Sequence, residues 1–200
     1  MKRFKLFLKM LYLGILGLLS FVLLSCGAFL LFLRTQYMLP VLTYHRVVPW
    51  AHKHGPLLVS PESFRRQMSF FQRNHYHVLS LREAAPYIAS SRFPPPRSVV
   101  ITFDDGYDDN FIYAFPILKK YGFPATIFMV AGEVGKPNFL NWEQLREMTY
   151  HGIAIGSHTI THCYLPRESR ERMREEIFNS KKILEDELGG EVVSFCYPVG

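Results

Sequence analysis

Cysteine is scarce in this sequence of 200 residues, which contains only Cys26, Cys163 and Cys196. No two of them form a CxxC pair, so neither a disulfide framework nor a structural zinc site built from cysteines is indicated. Cys26 lies in a long apolar run, and we interpret Cys163 and Cys196 as small buried apolar side chains. Hydrophobic residues make up 48% of the chain and aromatic residues 15%, which suits a packed core or a groove that stacks on flat ligands such as sugar rings.

Acidic residues are absent from the first 34 positions, although the whole chain has 17 of them against 23 basic residues. Five basic residues flank one apolar run: Lys2, Arg3, Lys5, Lys9 and Arg34. The other 18 basic residues face 17 acidic ones, so the rest of the chain is nearly neutral. A basic surface for nucleic acid is not indicated, and we expect no nucleic-acid partner.

The apolar run from Met10 to Leu33 is 24 residues long and carries no charge. It is long enough to cross a bilayer, which needs about 20 residues. Basic residues on its N-terminal side favour an N-terminus in the cytoplasm and a domain on the extracellular or periplasmic side. We therefore predict a basic cytoplasmic segment at residues 1–9, a transmembrane anchor at 10–33 and a stalk at 34–40.

Two alternatives to the anchor stay open. A cleaved signal peptide would have a shorter apolar region and small residues at the cleavage site. The segment Leu23–Gly27 also resembles a bacterial lipoprotein box, in which Cys26 would carry the lipid. Apolar sequence continues beyond this cysteine to Leu33, where a lipoprotein usually turns polar, and this favours the uncleaved anchor.

Apolar runs typical of buried strands alternate with helical stretches along residues 41–200. The runs are Val41–Tyr44, Ser98–Phe103, Ala125–Val130, Ile153–Gly156 and Val192–Phe195. One helix is predicted to start at Ser60-Pro61-Glu62, with Ser60 as the capping residue, and another to run up to Lys120. Two more are predicted, one that Asn141 opens and that ends at Gly152, and one over Arg167–Leu188. The last helix should bury an apolar face made of Met173, Ile177, Leu184 and Leu188.

This alternation predicts an α/β fold with a parallel sheet and right-handed crossovers, either an open sheet or a barrel. The sequence stops soon after a strand and its turn, and an α/β barrel normally needs more residues than this. We therefore expect the domain at residues 41–200 to lack its C-terminal part.

Polar residues follow two of the buried strands directly. Asp104-Asp105-Gly106 comes after Ser98–Phe103, and Ser157-His158 comes after Ile153–Gly156. The carboxyl ends of parallel strands converge on one face of the sheet, where sites are built. The sequence thus predicts two carboxylates and two imidazoles, those of His158 and His162, at a single site on this face of the sheet.

These side chains suit metal-assisted hydrolysis. Two histidines and one carboxylate form a common zinc ligand set that leaves a position for water. A second carboxylate beside such a site is what general-base catalysis requires. The other histidines lack this placement and are interpreted as surface or loop residues: His52, His54, His75, His77 and His151.

Two motifs resemble those of a known family. Thr102–Gly106 and Ser157-His158-Thr159-x-x-His162 are similar to the first two motifs of the polysaccharide deacetylases, carbohydrate esterase family 4. The resemblance covers roughly residues 39–200 and implies a distorted (β/α) barrel. It further implies that Asp104 is the catalytic base and that Asp105, His158 and His162 bind a divalent metal, usually zinc. The residue types alone also allow cobalt, nickel or iron.

The third family motif is matched less well. Phe195–Gly200 stands where typical members read Phe-Arg-Pro-Pro-Tyr-Gly, so Cys196 replaces the arginine that steadies the catalytic aspartate. The resemblance assigns Tyr197 and Val199 to substrate and oxyanion contacts, the latter through a backbone N–H. A Tyr-Pro version of this motif resembles the branch that deacetylates poly-N-acetylglucosamine. That branch has its catalytic histidine early in the domain, which makes His45 the candidate general acid.

The resemblance implies a metal-dependent hydrolase that removes N-acetyl groups from an extracellular N-acetylglucosamine polymer, with the polymer and the membrane as its partners. Two alternatives remain. The same site could act on peptidoglycan or chitooligosaccharides. The chain could also be a catalytically inactive carbohydrate-binding or assembly protein, if the domain is incomplete.

Overall fold

The computed structural model describes residues 2–35, 39–50, 55–90 and 92–199. The chain divides into two compact units, residues 1–38 and 39–200. The described residues of the first unit form one α-helix, α1 (Lys2–Thr35), which extends two residues into the segment predicted as a stalk. Within it, Tyr12–Leu30 is long and apolar enough to cross a membrane, a property that a signal sequence shares.

The second unit is a parallel α/β domain. The strands in its described residues are β1 (Val41–Tyr44), β2 (Arg46–Val47), β3 (Leu58–Val59), β4 (His77–Leu79), β5 (Ser98–Phe103), β6 (Ala125–Met129) and β7 (Ile153–Ser157). The α-helices there are α2 (Pro61–Arg73), α3 (Leu81–Ala89), α4 (Phe115–Tyr121), α5 (Trp142–Tyr150), α6 (Arg170–Arg174) and α7 (Ser180–Leu188). Single π-helical turns, Asn110–Ala114 and Glu175–Asn179, precede α4 and α7.

The main sheet runs in the order β1-β5-β6-β7, and β4 also pairs with β5. Every pairing is parallel, as the sequence predicts. All six residues of β5 are buried, which explains its unbroken apolar sequence. Because the strands run in one direction, the residues that follow β1, β5 and β7 emerge at the same edge of the sheet.

The prediction of a strand at Val192–Phe195 is wrong in extent. The pairing observed there is an isolated parallel bridge between Ser157 and Phe195. Ser157 donates its N–H to Ser194 and accepts from the N–H of Cys196, each at 2.9 Å. Val193 is 55% exposed, so the apolar pattern that suggested a buried strand does not reflect burial along its whole length.

The helices begin at side-chain caps that the sequence provides. Ser60 caps α2 ahead of Pro61, and Asn141 forms a reciprocal capping box at α5. The helix predicted from Arg167 begins later, at Arg170, where Ser169 caps it.

The buried face of this last helical region also differs from the prediction. Its fully buried residues are Glu176, Ser180 and Leu184, which lie four apart. Of the four apolar residues expected there, Leu184 is buried and the other three are only partly so. A carboxylate therefore points into the protein where an apolar stripe was predicted.

An aromatic cluster fixes the end of β1 against β5. The Tyr44 ring stacks on Phe103 with centroids 5.3 Å apart and meets Phe64 edge-on at 5.1 Å. Phe64 and Phe103 are fully buried. This packing sets the position of the chain immediately beyond Tyr44 and beyond Phe103, where the polar residues follow.

Candidate metal centre

The turn after β5 presents two adjacent carboxylates in different directions. The Asp104 N–H donates to the Tyr44 carbonyl at 2.9 Å, which keeps Asp104 in line with the sheet. Asp105 and Gly106 then take the left-handed region, with φ of +71° and +79°. A Cβ at Gly106 would overlap the side chain of Met129, so this turn needs glycine both for conformation and for space.

The loop after β7 brings in the two histidines. The His158 N–H donates to the Met129 carbonyl at 2.9 Å, which extends the strand pairing by one residue. Thr159 and His162 then adopt positive φ, +67° and +57°. The Thr159 hydroxyl accepts from the His162 N–H at 3.0 Å, so the loop folds back and places both imidazoles on one side.

Three side chains converge at this edge of the sheet. Oδ1 of Asp105 lies 3.5 Å from Nε2 of His158 and 3.2 Å from Nε2 of His162. One ligand atom from each of the three residues lies within 4.8 Å of the others. These atoms are the three donors that the sequence predicts for a metal.

The surroundings of the three donors fit a cation. Asp105 Oδ1 is buried and accepts no hydrogen bond of normal geometry, although buried carboxylate oxygens ordinarily have a partner. The Cys196 carbonyl accepts from Nδ1–H of His158 at 2.9 Å, so Nε2 is the ring nitrogen that faces Asp105 and would bind a metal. Two imidazole nitrogens and a carboxylate oxygen suit zinc and other divalent transition metals.

The Cys196 carbonyl is a functional group that sequence reasoning missed. From the sequence, Cys196 is of interest only for its side chain, as a small buried apolar group and as the residue that stands where the resembled family has arginine. Its backbone orients His158, and its Sγ lies 3.8 Å from Oδ2 of Asp104. Cys163 and Cys196 are partly exposed, so the interpretation of them as small buried apolar side chains is wrong.

Asp104 differs electrostatically from its neighbour. It is only 9% exposed, and its Oδ1 has no hydrogen-bond partner. Burial raises the pKa of Asp104, and the nearby His158 and His45 counteract this only in part. Burial also acts to raise the pKa of Asp105, but His158, His162 and His45 together bring that pKa below its usual value. The two carboxyls are thus suited to different tasks.

The pKa of His158 reflects the same arrangement. Burial alone would lower it, but Asp105 and Cys196 raise it to about 10. A metal ligand must be neutral, so a cation binding at Nε2 would displace a proton from this imidazole. Metal affinity is therefore expected to increase with pH.

His45 follows β1 and lies near both aspartates, close enough to lower the pKa of each. Its carbonyl accepts from Nδ2 of Asn110 at 2.9 Å. Asp109 accepts from the Val47 N–H at 2.9 Å and from Nε of Arg46 at 2.6 Å. The turn that follows Asp104-Asp105-Gly106 therefore holds the segment that carries His45, a link that no sequence motif had indicated.

Tyr197 and Val199 are the remaining candidate site residues, and both are exposed. Their exposed fractions are 65% and 63%, and Val199 has φ of +52°. Of the other histidines, His75, His77 and His151 are exposed, in agreement with their interpretation as surface residues. His52 and His54 lie outside the described residues.

The chain is similar in sequence to polysaccharide deacetylases over most of its length. The family model for polysaccharide deacetylases matches residues 92–200. The protein YxkH of Bacillus subtilis, which is named as a polysaccharide deacetylase, is 38% identical over 162 residues, 81% of this chain and 57% of its own length. The poly-beta-1,6-N-acetyl-D-glucosamine N-deacetylase of Staphylococcus aureus (strain MRSA252) is 30% identical over 71% of this chain and 53% of its own length. The chain thus spans little more than half the length of these relatives.

Two solved structures share the fold. The deacetylase PplD of Streptococcus pyogenes, in complex with acetate, superposes with a TM-score of 0.76 at 30% identity, over 81% of this chain and 74% of its own. IcaB from Ammonifex degensii gives a TM-score of 0.72 at 31% identity over the same shares. The parallel α/β fold predicted from the sequence is therefore confirmed. Together with the family match over residues 92–200, these similarities place the chain in the polysaccharide deacetylase family.

Proposed function

We propose that this protein is a metal-dependent N-deacetylase that acts on an N-acetylglucosamine polymer outside the cell. The observation that carries the proposal is the position of Asp104, a buried carboxylate with a raised pKa, directly beside the donor set of Asp105, His158 and His162. A metal site with a separate base next to it is suited to hydrolysis. The named substrate of the staphylococcal relative supports a poly-β-1,6-N-acetylglucosamine.

Asp104 would act as the general base. Its unpartnered Oδ1 can accept a proton from water, and its raised pKa makes the carboxylate a stronger base than an exposed aspartate. A divalent cation held by Asp105, His158 and His162 would supply Lewis acidity, which acidifies water and makes the acetyl carbonyl a better electrophile.

His45 and the 195–199 segment would complete the reaction. The backbone N–H of Val199 would donate a hydrogen bond to the developing oxyanion, and the exposed Tyr197 would contact the sugar. His45 gives a proton to the amine nitrogen as the carbon–nitrogen bond breaks, which releases acetate and a glucosamine unit. The proximity of His45 to Asp104 and Asp105 supports this role.

Helix α1 would anchor the domain at the membrane. Its apolar span Tyr12–Leu30 and the basic residues before it support an N-terminus in the cytoplasm and a domain on the outer side. The alternatives, a cleaved signal sequence or a lipid on Cys26, would deliver the domain to the same side.

The substrate can be tested by acetate release. The full chain in detergent micelles, stripped of metal and reloaded with zinc, is expected to release acetate from poly-β-1,6-N-acetylglucosamine. Peptidoglycan and chitooligosaccharides are the parallel substrates. Release from one of these alone would reassign the polymer. No release from any of them by metal-loaded protein would favour the inactive carbohydrate-binding alternative.

The pH profile tests the role of Asp104. A base works only when ionised, so kcat/KM should fall as pH drops through the raised pKa of Asp104. Cys196→Arg places a cation where Sγ now lies 3.8 Å from Oδ2. A cation favours the ionised carboxylate, so the acid limb should move to lower pH, by about one unit or more.

Measuring kcat/KM from pH 4 to 9 for both proteins gives the comparison. Cys163→Arg, a change of the other cysteine of this domain, serves as the matched control and should leave the limb in place. An unchanged acid limb in Cys196→Arg would show that Asp104 is not the group that titrates.

A further inference from the structure

We propose that Glu176 is a positioning residue for the metal centre, because it holds the 158–162 loop in the shape that presents His162 to Asp105. The inference rests on the proposed function, in which this loop supplies two metal ligands. Glu176 lies on the helix beyond the loop, fourteen positions from His162 in the sequence.

The carboxylate of Glu176 is fully buried and saturated with donors. Its Oε2 accepts from the backbone N–H groups of Ile160 at 2.7 Å and Thr161 at 2.9 Å. Its Oε1 accepts from the Thr161 hydroxyl at 2.8 Å and lies 2.7 Å from an Arg172 guanidinium nitrogen. Burial acts to raise the pKa of Glu176, but these donors bring it below its usual value, so the group is a carboxylate at neutral pH.

The loop depends on outside support because its own conformation is unfavourable. Thr159 and His162 both have positive φ, which costs energy for residues other than glycine. Two consecutive N–H groups, those of Ile160 and Thr161, have no acceptor within a helix or strand and need one from elsewhere in the fold. One ionised carboxylate satisfies both, through hydrogen bonds stronger than those to a neutral acceptor.

The two ligands of the loop differ in how firmly they are held. The His158 side chain is 3% exposed and is fixed by the Cys196 carbonyl. The His162 side chain is 40% exposed, so little packing restrains it. Its position therefore follows from the loop backbone, and the effect of Glu176 should fall mainly on His162.

The helical region that carries Glu176 contacts both this loop and the strand before it. Glu176 lies in the π-helical turn Glu175–Asn179, a feature that often occurs at functional sites. Four residues on, the Ser180 hydroxyl lies 2.7 Å from that of Ser157 at the end of β7. One helix face thus contacts both the strand end and the loop, and Arg172 offsets the cost of burying the charge.

The test compares metal affinity in the full chain in detergent micelles, using competition with a chromophoric chelator for Zn²⁺. Glu176→Ala is expected to weaken binding by about 10- to 100-fold, the usual effect of removing support from a metal ligand. Glu176→Gln keeps one acceptor oxygen, so its loss should be smaller. Glu175→Gln is the matched control, since Glu175 also pairs with Arg172 but is 57% exposed, and its affinity should equal that of the wild type.

The absorption spectrum of the Co²⁺-loaded protein separates positioning from folding. Altered ligand geometry in Glu176→Gln would change the d–d bands, whereas lost stability alone would leave them unchanged. The inference is overturned if folded Glu176→Ala binds Zn²⁺ as tightly as the wild type, with an unchanged spectrum. If that variant does not fold, the same criterion is applied to Glu176→Gln. Wild-type protein that binds no metal would instead defeat the proposed function itself.

Discussion

Replacing Asp104 with asparagine is expected to reduce deacetylation by about 10²- to 10⁴-fold, the usual contribution of a general base. Asparagine has nearly the same shape but cannot take a proton from water. Asp104 is not one of the three donor residues, Asp105, His158 and His162, so the variant should retain stoichiometric metal. Metal content by mass spectrometry and acetate release together measure this separation.

The same substitution should not destabilise the fold. Burial raises the pKa of Asp104 in the folded state, so the folded protein loses stability relative to the unfolded chain as pH rises from the unfolded pKa through the folded one. At pH values above the folded pKa, the buried ionised carboxylate destabilises the folded state, and asparagine removes this destabilisation. The Tm of metal-free Asp104→Asn at pH 7 should therefore equal or exceed that of the wild type.

Asp186→Asn is the control for this experiment, because Asp186 is 62% exposed and pairs with Lys182 on the same helix. Full activity in Asp104→Asn would remove Asp104 from the role of base. A loss of metal along with activity would instead mean that Asp104 belongs to the ligand set.

Replacing His158 with alanine is expected to abolish both metal binding and turnover. The change removes a donor nitrogen itself, so the loss of affinity should exceed the roughly 100-fold that follows from loss of a ligand's hydrogen-bonding partner. It also leaves the Cys196 carbonyl without its imidazole and opens a buried space, since His158 is only 3% exposed. The Tm of the metal-free protein should fall as well.

His151→Ala is the matched control, because His151 is exposed at the end of α5, with its Nε2 2.9 Å from Nζ of Lys119. Chelator competition, acetate release and thermal unfolding give the three readouts. A folded His158→Ala protein with wild-type affinity would refute the ligand assignment. Loss of metal in both histidine variants would point to a general defect in folding.

The sequence predicts the elements that bury apolar residues on every side. Strand β5 is the clearest case, because all six of its residues are buried and its sequence is accordingly apolar without a break. The position of Asp104-Asp105 and His158 then follows from the rule that strand ends converge in parallel sheets. The caps at Ser60 and Asn141 are likewise local signals, and both are confirmed.

The elements that the sequence does not reveal depend on the backbone or on distant partners. Every residue has a backbone carbonyl, so the sequence could not predict that the carbonyl of Cys196 accepts a hydrogen bond from His158. Glu176 is acidic within a charged helix, a pattern that is typical of a solvated face. Only the folded loop, in which the N–H groups of Ile160 and Thr161 donate to Glu176, shows why a carboxylate is buried there. The strand predicted at Val192–Phe195 failed for a related reason, since a short apolar run does not say how many of its residues find partners.

The hydrogen bond between His158 and the Cys196 carbonyl makes the metal centre and the 194–198 segment thermodynamically linked. If docking of that segment against β7 favours the imidazole orientation that binds metal, then bound metal must favour docking by the same factor. Metal binding would then also order Tyr197 and Val199, the residues proposed to contact the substrate. An apo protein would have a less ordered substrate surface, so recognition of the polymer would be conditional on the loaded centre.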